Sequence, residues 1–200
     1  MKRIVVPKQL GAEFGGGFYG GKFFIGTDRF ALVFASKADG GEHEPIIWSG
    51  SDKIIKGAQS YSDGRQNTLA MARGGSALAK WARGLRIGGF RDWQIPARDQ
   101  KELLYRYFKP GTYVCNQLRA GDNPSSEPPG YPYTTDQKQT PLNLFQAGGA
   151  EAFAEAWYWT STQSASYCTY AWAQSFTSGL QSYSRKDDEF RARAVRSIPL

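Results

Sequence analysis

The last third of the chain concentrates residues that recognise ligands rather than transform them. Trp157–Gln163 and residues 170–176 are dense in aromatic rings, hydroxyls and amides. Rigid rings supply contact area and hydroxyls supply hydrogen bonds, so this composition is typical of a recognition surface carried on a sheet. The segments expected to be exposed are residues 164–170 and 181–186. We therefore predict a ligand-binding surface formed by Tyr167, Tyr170, Gln181, Tyr183, Ser184 and Lys186.

Side chains that catalyse reactions are sparse. His43 is the only histidine of the chain. Asp63, Asn67 and Asp92 have no histidine or second carboxylate beside them in the sequence. Acid–base catalysis needs such a partner within hydrogen-bond reach. We therefore expect no catalytic residues, no turnover and no cofactor.

Metal binding and disulfide formation are only weakly indicated. Asp122, Asn123 and Glu127 could offer hard oxygen ligands to calcium, but a calcium site needs six or more oxygens, so we expect no metal. Cys115 and Cys168 are too few and too far apart for a metal knuckle. In a reducing compartment they are expected to be free thiols, and a single bridge between them stays open.

The formal net charge of +7 is unevenly placed, because residues 73–110 hold nine Lys or Arg against three acidic residues. Nucleic-acid binding would need these charges on one face with interleaved aromatic rings. They are spread instead around two predicted helices and a turn, so we expect a solvated basic face and no nucleic-acid partner. Attraction to an anionic polysaccharide or an acidic subunit stays open. The absence of a long apolar run or a secretory core predicts cytoplasmic synthesis without membrane insertion.

Short strands are predicted early and late in the chain and helices between them, and this segregation is typical of an α+β fold. Residues 14–35, which glycines punctuate, predict a β-hairpin. Asp63 is expected to cap a helix that runs to about residue 83. Gly74 and Gly75 lie inside this helix, and each costs roughly 1 kcal/mol there, so close packing or a break is predicted.

A second helix is predicted to start at Asp99 as its cap and to stop at Pro110. Its expected apolar stripe consists of Leu103, Leu104, Tyr107 and Phe108. Proline-rich residues 120–141 then predict a long structured loop.

The late part of the chain predicts strands at residues 157–163, 170–176 and 190–198, with a hairpin turn at residues 177–179. Alternation along the second of these strands predicts that Trp172 and Phe176 are buried. Each of these strands has one apolar face that must be buried, and the apolar stripe of the second helix can cover it. The helix and these strands are therefore expected to pack together.

A series of motifs, in order along the chain, carries a resemblance to a known family. The motifs are Asp63-Gly64, Asn67-Thr68, Gly89-Phe-Arg-Asp92-Trp93-Gln-Ile-Pro96, Glu102-Leu103, Tyr158-Trp159-Thr160-Ser161-Thr162, Ala171-Trp172, Phe176, Gly179 and Arg193-Ala194-Val195-Arg196. Over roughly residues 55–198 the chain resembles the lectin-like domain of bacteriophage tail proteins, which is also found at the C-terminus of a bacterial collagen-like adhesin. The resemblance implies a C-type-lectin-like fold, with two helices on a small twisted antiparallel sheet and long loops. It divides the chain into a β-rich attachment or oligomerisation segment, 1–57, and a lectin-like domain, 58–200.

The resemblance also implies a function and a location. It indicates a non-catalytic tail or baseplate protein of the virion that binds a host surface glycan or protein. Its expected partners are other tail or baseplate proteins and further copies of this chain, with a trimer favoured. A structural connector without host contact is the alternative. Formylglycine-generating enzymes share a related fold, but they use closely placed cysteines, so an enzyme of that class is not expected.

Overall fold

The computed structural model describes residues 4–113, 120–134 and 137–200. These residues form a mixed α+β structure with three α-helices and two β-sheets. In chain order the elements are β1 (Glu13–Phe14), β2 (Gly17–Ile25), β3 (Asp28–Phe34), β4 (Glu42–Ile47), α1 (Gly64–Arg73), α2 (Ala77–Gly84), α3 (Arg98–Phe108), β5 (Ser126–Glu127), a 3₁₀ turn (Asn143–Phe145), β6 (Trp157–Gln163), β7 (Tyr170–Ser175), β8 (Gln181–Arg185), β9 (Glu189–Arg193) and β10 (Val195–Pro199).

The first sheet is antiparallel and follows the order β1–β2–β3–β10, with β5 paired to β2. The predicted hairpin is confirmed by β2 and β3, which turn at Gly26 with φ +60°. Leu32 and Phe34 of β3 are fully buried, and Phe30 packs against the same core. The alternation of apolar residues along β3 therefore gives this sheet its inner face.

The second sheet follows the order β4–β9–β6–β7–β8 and is antiparallel except between β6 and β9. The single late strand predicted at residues 190–198 is wrong, because the chain changes sheets there. β9 pairs with β4 and β6, whereas β10 pairs with β3. Ala194, between them, is fully buried. The last residues of the chain thus join the two sheets.

The N-terminal 57 residues are rich in strands, as expected, and their pairing partners come from the end of the same chain. β3 pairs with β10, and β4 pairs with β9. Short strands cannot bury enough surface alone, and these find it in sheets shared with the later residues. Residues on either side of position 57 therefore contribute to both sheets, and a role of residues 1–57 in attachment remains a proposal.

The helix expected from Asp63 to about residue 83 is broken at the two glycines into α1 and α2. Asp63 caps α1, since its Oδ1 accepts a hydrogen bond from the Gln66 N–H at 2.9 Å. Gly75 has φ +91°, a left-handed conformation that ends a helix readily. Ser76 then caps α2 and donates its hydroxyl to the Trp48 carbonyl at 2.6 Å.

The cap predicted for α3 is wrong by two residues. Ala97 is the N-cap and Asp99 lies in the first turn. The early backbone N–H groups find other partners: the Gln100 Oε1 accepts from the Ala97 N–H at 2.8 Å, and Thr162 accepts from the Arg98 N–H at 3.0 Å. An aspartate cap is therefore not needed.

The core lies where α3 meets both sheets. α3 contacts β2 of the first sheet and β6 and β7 of the second, which confirms that this helix packs on the sheet containing the Trp157, Trp172 and Arg193 strands. Leu103, Leu104 and Phe108 are buried as predicted, but Tyr105 takes the place expected for Tyr107, which is half-buried. In the part of the chain that the structure describes, no helix has the length and apolar character needed to cross a membrane.

Candidate functional site

One face of the β7–β8 hairpin carries the candidate site. The register places Trp172 opposite Tyr183 and Tyr170 opposite Arg185. Because side chains alternate along a strand and opposite residues share a face, these four side chains project from the same side of the sheet. The ring centres of Trp172 and Tyr183 are 4.1 Å apart, so the two rings pack directly on each other.

Further tyrosines extend this contact into a continuous group of rings. The ring of Tyr167 lies 6.1 Å from Tyr183 and 5.9 Å from Tyr170, both in edge-to-face geometry. Tyr61, which precedes α1, lies 6.0 Å from Trp172 on the other side. Edge-to-face pairs are favourable arrangements of aromatic quadrupoles. We call this group of Tyr61, Tyr167, Tyr170, Trp172 and Tyr183 the aromatic patch.

Arg98 adds a fixed positive charge to the aromatic patch. Its guanidinium carbon lies 4.6 Å from the Tyr61 ring centre and 5.2 Å from that of Trp172. Its Nε donates to the Gln181 Oε1 at 3.3 Å, and a terminal nitrogen donates to the Asp122 carbonyl at 2.8 Å. A guanidinium held by rings and hydrogen bonds loses little further entropy when a ligand binds.

The loop between β6 and β7 holds Tyr167 in place. The Tyr167 N–H donates to the Ser164 hydroxyl at 3.1 Å, and the Tyr170 N–H donates to the Tyr167 carbonyl at 3.1 Å. Ser164 is itself fully buried, and its N–H donates to the Tyr170 carbonyl. The Tyr167 side chain therefore projects from a hydrogen-bonded turn and is 58% exposed.

Four of the six predicted site residues lie together on this face. Tyr167 and Tyr183 are exposed, whereas Tyr170 and Gln181 are half-buried. Burial raises the pKa of Tyr183, and the neighbouring Tyr61 raises it further, so its hydroxyl stays protonated at neutral pH and can donate a hydrogen bond. That these residues contact a ligand remains a prediction.

Ser184 and Lys186 do not belong to the aromatic patch. Ser184 lies opposite the fully buried Ala171, so it points to the inner side of the sheet. The prediction that Lys186 is exposed is wrong, because Lys186 is 2% exposed. Both errors have one cause: alternate residues of an extended segment point to opposite faces, and Tyr183 takes the outer one.

The Lys186 side chain makes contacts inside the protein instead. Its Nζ donates to the Lys53 carbonyl and to the Gln163 Oε1, each at 2.8 Å. It also lies 5.1 Å from the Trp48 ring centre. Burial lowers the pKa of Lys186 to about 8. The amine thus ties the 48–55 segment to the inner side of β6 and β8.

Three members of the site were absent from the sequence prediction: Tyr61, Arg98 and Trp172. Trp172 was expected to be buried but is only half-buried, and its indole N–H has no hydrogen-bond partner among the described residues. Counting the hairpin register back from the turn at residues 177–179 would have placed it opposite Tyr183. No local signal indicates Tyr61 or Arg98, because the ends of α1 and α3 reach the patch only in the folded chain.

The residues considered for calcium have other partners. Glu127 binds Arg29 through two hydrogen bonds of 2.5 Å, and the Asn123 amide donates to the Asp99 carbonyl and to Glu102. Within residues 4–113, 120–134 and 137–200, no group of three or more His, Cys, Asp or Glu side chains is placed to hold a metal ion. Cys115 lies outside the described residues, and Cys168 is an exposed free thiol.

A scan against protein-family models finds no match to this chain, and a search of curated proteins finds no significant match either.

Proposed function

We propose that this protein is a non-catalytic component of a bacteriophage tail or baseplate that attaches to the host cell by binding a surface glycan or protein through the aromatic patch. The observation that carries the proposal is the continuous, partly exposed packing of Trp172, Tyr183 and Tyr167 beside Arg98. Trp, Tyr and Arg are the residues that most often dominate binding energy at interfaces.

The chemistry of the patch suits recognition. Its rings offer flat apolar surface, and Arg98 and the tyrosine hydroxyls offer hydrogen-bond donors. Rings that already pack on one another need little ordering when a partner arrives. A sugar or protein surface with hydroxyl and carbonyl acceptors is the complementary partner.

The wider assignment follows from the motif resemblance and belongs to the same proposal. In it, residues 58–200 form a C-type-lectin-like fold, and residues 1–57 mediate attachment to other tail or baseplate proteins in the virion. The functional unit is a homo-oligomer, with a trimer favoured. Support comes from the α+β architecture and from the strands found at the motif positions Tyr158–Thr162 and Ala171-Trp172.

The test compares two double variants in binding to a panel of bacterial strains, measured with fluorescently labelled full-length protein. Tyr167→Ala with Tyr183→Ala removes two exposed rings of the patch. We expect binding to fall at least about 30-fold, because hot-spot aromatics contribute on the order of 2 kcal/mol or more. Binding to cells treated with periodate or with protease identifies the receptor as a glycan or a protein.

The matched control is Tyr113→Ala with Tyr131→Ala, since these tyrosines are also exposed and lie outside the patch. This control should bind as the parent does, and circular dichroism should show both double variants folded. If the patch variant binds as well as the control, host recognition through this patch is refuted and the structural-connector function replaces it.

A further inference from the structure

A second site of different chemistry lies between α1, α2 and the turn that follows α2. It is a polar cavity of about 160 Å³ lined by Arg65, Thr68, Arg83, Arg91, Asp92, Trp93 and Gln94. It shares no residue with the aromatic patch. Three of its seven lining residues are arginines, which carry positive charge.

The cavity is positively charged, because its arginines are not neutralised by the protein. Arg65, Arg83 and Arg91 are exposed, and their guanidinium groups have no hydrogen-bond or ion-pair partner in the part of the chain that the structure describes. The single carboxylate of the lining, Asp92, is held by Arg196 through hydrogen bonds of 2.5 and 3.0 Å. Asp92 is therefore committed to another arginine. Three like charges that line one cavity without counter-charges repel one another, and a bound anion would relieve that repulsion.

The local backbone structure fixes the position of each of these arginines. Arg65 lies in the first turn of α1 and Arg83 in the last turn of α2. The carbonyls at the end of α2 are bound by Arg86, which leaves Arg83 free of a capping role. Gly88 and Gly89, both with positive φ, form the tight turn that brings Arg91 to the cavity.

Trp93 lines the cavity and is 2% exposed, and its indole N–H has no hydrogen-bond partner among the described residues. This N–H is itself enclosed by protein, so it does not open onto the cavity. The guanidiniums are therefore the charged donors that the cavity offers to a ligand.

We propose that this cavity, lined by Arg65, Arg83, Arg91 and Trp93, binds an oxyanion group of the phosphate, sulfate or carboxylate class. Guanidinium groups bind such oxygens in pairs with fixed geometry. The cavity holds one such group and not a polymer. The group is either a free ion or a substituent carried by a larger molecule such as a charged saccharide.

The test is isothermal titration calorimetry of the full chain with inorganic phosphate, sulfate, acetate and glucose 6-phosphate. We expect saturable binding of at least one of these anions that weakens with added salt. Combined Arg65→Gln, Arg83→Gln and Arg91→Gln changes should weaken it at least about tenfold. Tighter binding of glucose 6-phosphate than of phosphate indicates a group carried by a saccharide, and the reverse indicates the free ion.

A matched control makes the test decisive. Arg73→Gln changes an exposed arginine of the same helix as Arg65 and should leave binding unchanged. Absence of saturable binding, or equal binding by the Arg73 and cavity variants, overturns the proposal. The aromatic patch is untouched by these changes, so host binding by the cavity variants separates this result from the proposed function.

Discussion

In both the first turn of α3 and the aromatic patch, the solvent exposure of the side chains is the opposite of what their residue types suggest. Residues 99–102 are Asp, Gln, Lys and Glu, and all four are at most 3% exposed. In the patch, Tyr167 and Tyr183 are 58% and 37% exposed. Charged groups are costly to bury unless paired, whereas large rings are usually buried. The comparison teaches that position between the sheets decides which side chains water reaches.

The buried charges of α3 differ in how well they are partnered. Glu102 accepts hydrogen bonds from Arg106 and the Tyr133 hydroxyl at 2.5 Å and from Asn123 at 2.6 Å. The Lys101 amine has no hydrogen-bond partner in the described part of the chain and lies 4.9 Å from the Tyr158 ring centre. Burial lowers the pKa of Lys101 to about 7. Removing one of these charges should therefore destabilise the fold, and removing the other should stabilise it.

The largest effect is expected for Glu102→Ala. This change leaves half-buried Arg106 without its carboxylate and deprives Tyr133 and Asn123 of an acceptor, so the free energy of unfolding should fall by about 3–5 kcal/mol. Urea denaturation at pH 7 measures it. Glu13→Ala, an exposed edge-strand control, should change stability by less than about 0.5 kcal/mol. A loss below about 1 kcal/mol for Glu102→Ala would show that the buried network does not hold α3.

Lys101→Met should have the opposite sign. A lysine whose pKa is about 7 when folded and 10.5 when unfolded binds fewer protons in the folded state. Its charge therefore opposes folding below about pH 7, and the penalty disappears as pH rises toward 10.5. We expect the variant to be more stable by about 2–4 kcal/mol at pH 6, with the advantage shrinking at higher pH. Lys80→Met, at an exposed position of α2, is the control, and a pH-independent difference would contradict the assignment.

Asp99 should give a smaller effect in a different pH range. Burial raises its pKa to about 6, against opposing effects of the Ser125 hydrogen bond and Arg98. The folded state then binds more protons than the unfolded state between pH 3.8 and 6. Stability from this group is complete below pH 3.8 and is lost as pH rises through 6.

Asp99→Asn removes this dependence, so parent and variant should diverge by about 2–3 kcal/mol over that range, with the variant favoured at pH 7. Unfolding followed in urea from pH 3.5 to 7 measures the divergence, and Asp39→Asn, at an exposed position that is not among the groups acting on Asp99, should track the parent. Parallel curves for parent and Asp99→Asn would mean that the buried carboxyl keeps its ordinary pKa.

The smallest effect is expected in the aromatic patch. Tyr167→Ala removes an exposed ring from a surface loop, so the free energy of unfolding should change by less than about 0.5 kcal/mol. Tyr158→Ala, which removes a fully buried ring of β6, should cost about 3–5 kcal/mol and sets the scale. If Tyr167→Ala costs more than about 1 kcal/mol, the patch is part of the folding core and the comparison with α3 fails.

Much of the fold follows from local sequence patterns. The β2–β3 hairpin, the Asp63 cap, the break at Gly74 and Gly75 and the strand Trp157–Gln163 were all predicted, because each depends on neighbours in the chain. The candidate site was predicted in part. Tyr167, Tyr170, Gln181 and Tyr183 follow from composition, whereas Ser184 and Lys186 were misplaced because composition does not reveal which alternate residues face outward.

Features that join distant segments could not be predicted in this way. Trp159 and Tyr158 point to opposite faces of β6, and both are fully buried because β6 is covered on both sides. The change of sheet at Ala194 depends on the positions of β3 and β4, which pair with β10 and β9 respectively.

The sequence by itself determined most of the helix and strand positions and the kind of chemistry available, since backbone propensity, turn residues and capping are local. The tertiary structure alone decided that Arg98 stacks on Trp172, that Arg65, Arg83 and Arg91 surround one cavity, and that the charges of α3 are buried. These features depend on the distances between segments far apart in the chain. Only the packing of the two sheets around α3 sets those distances.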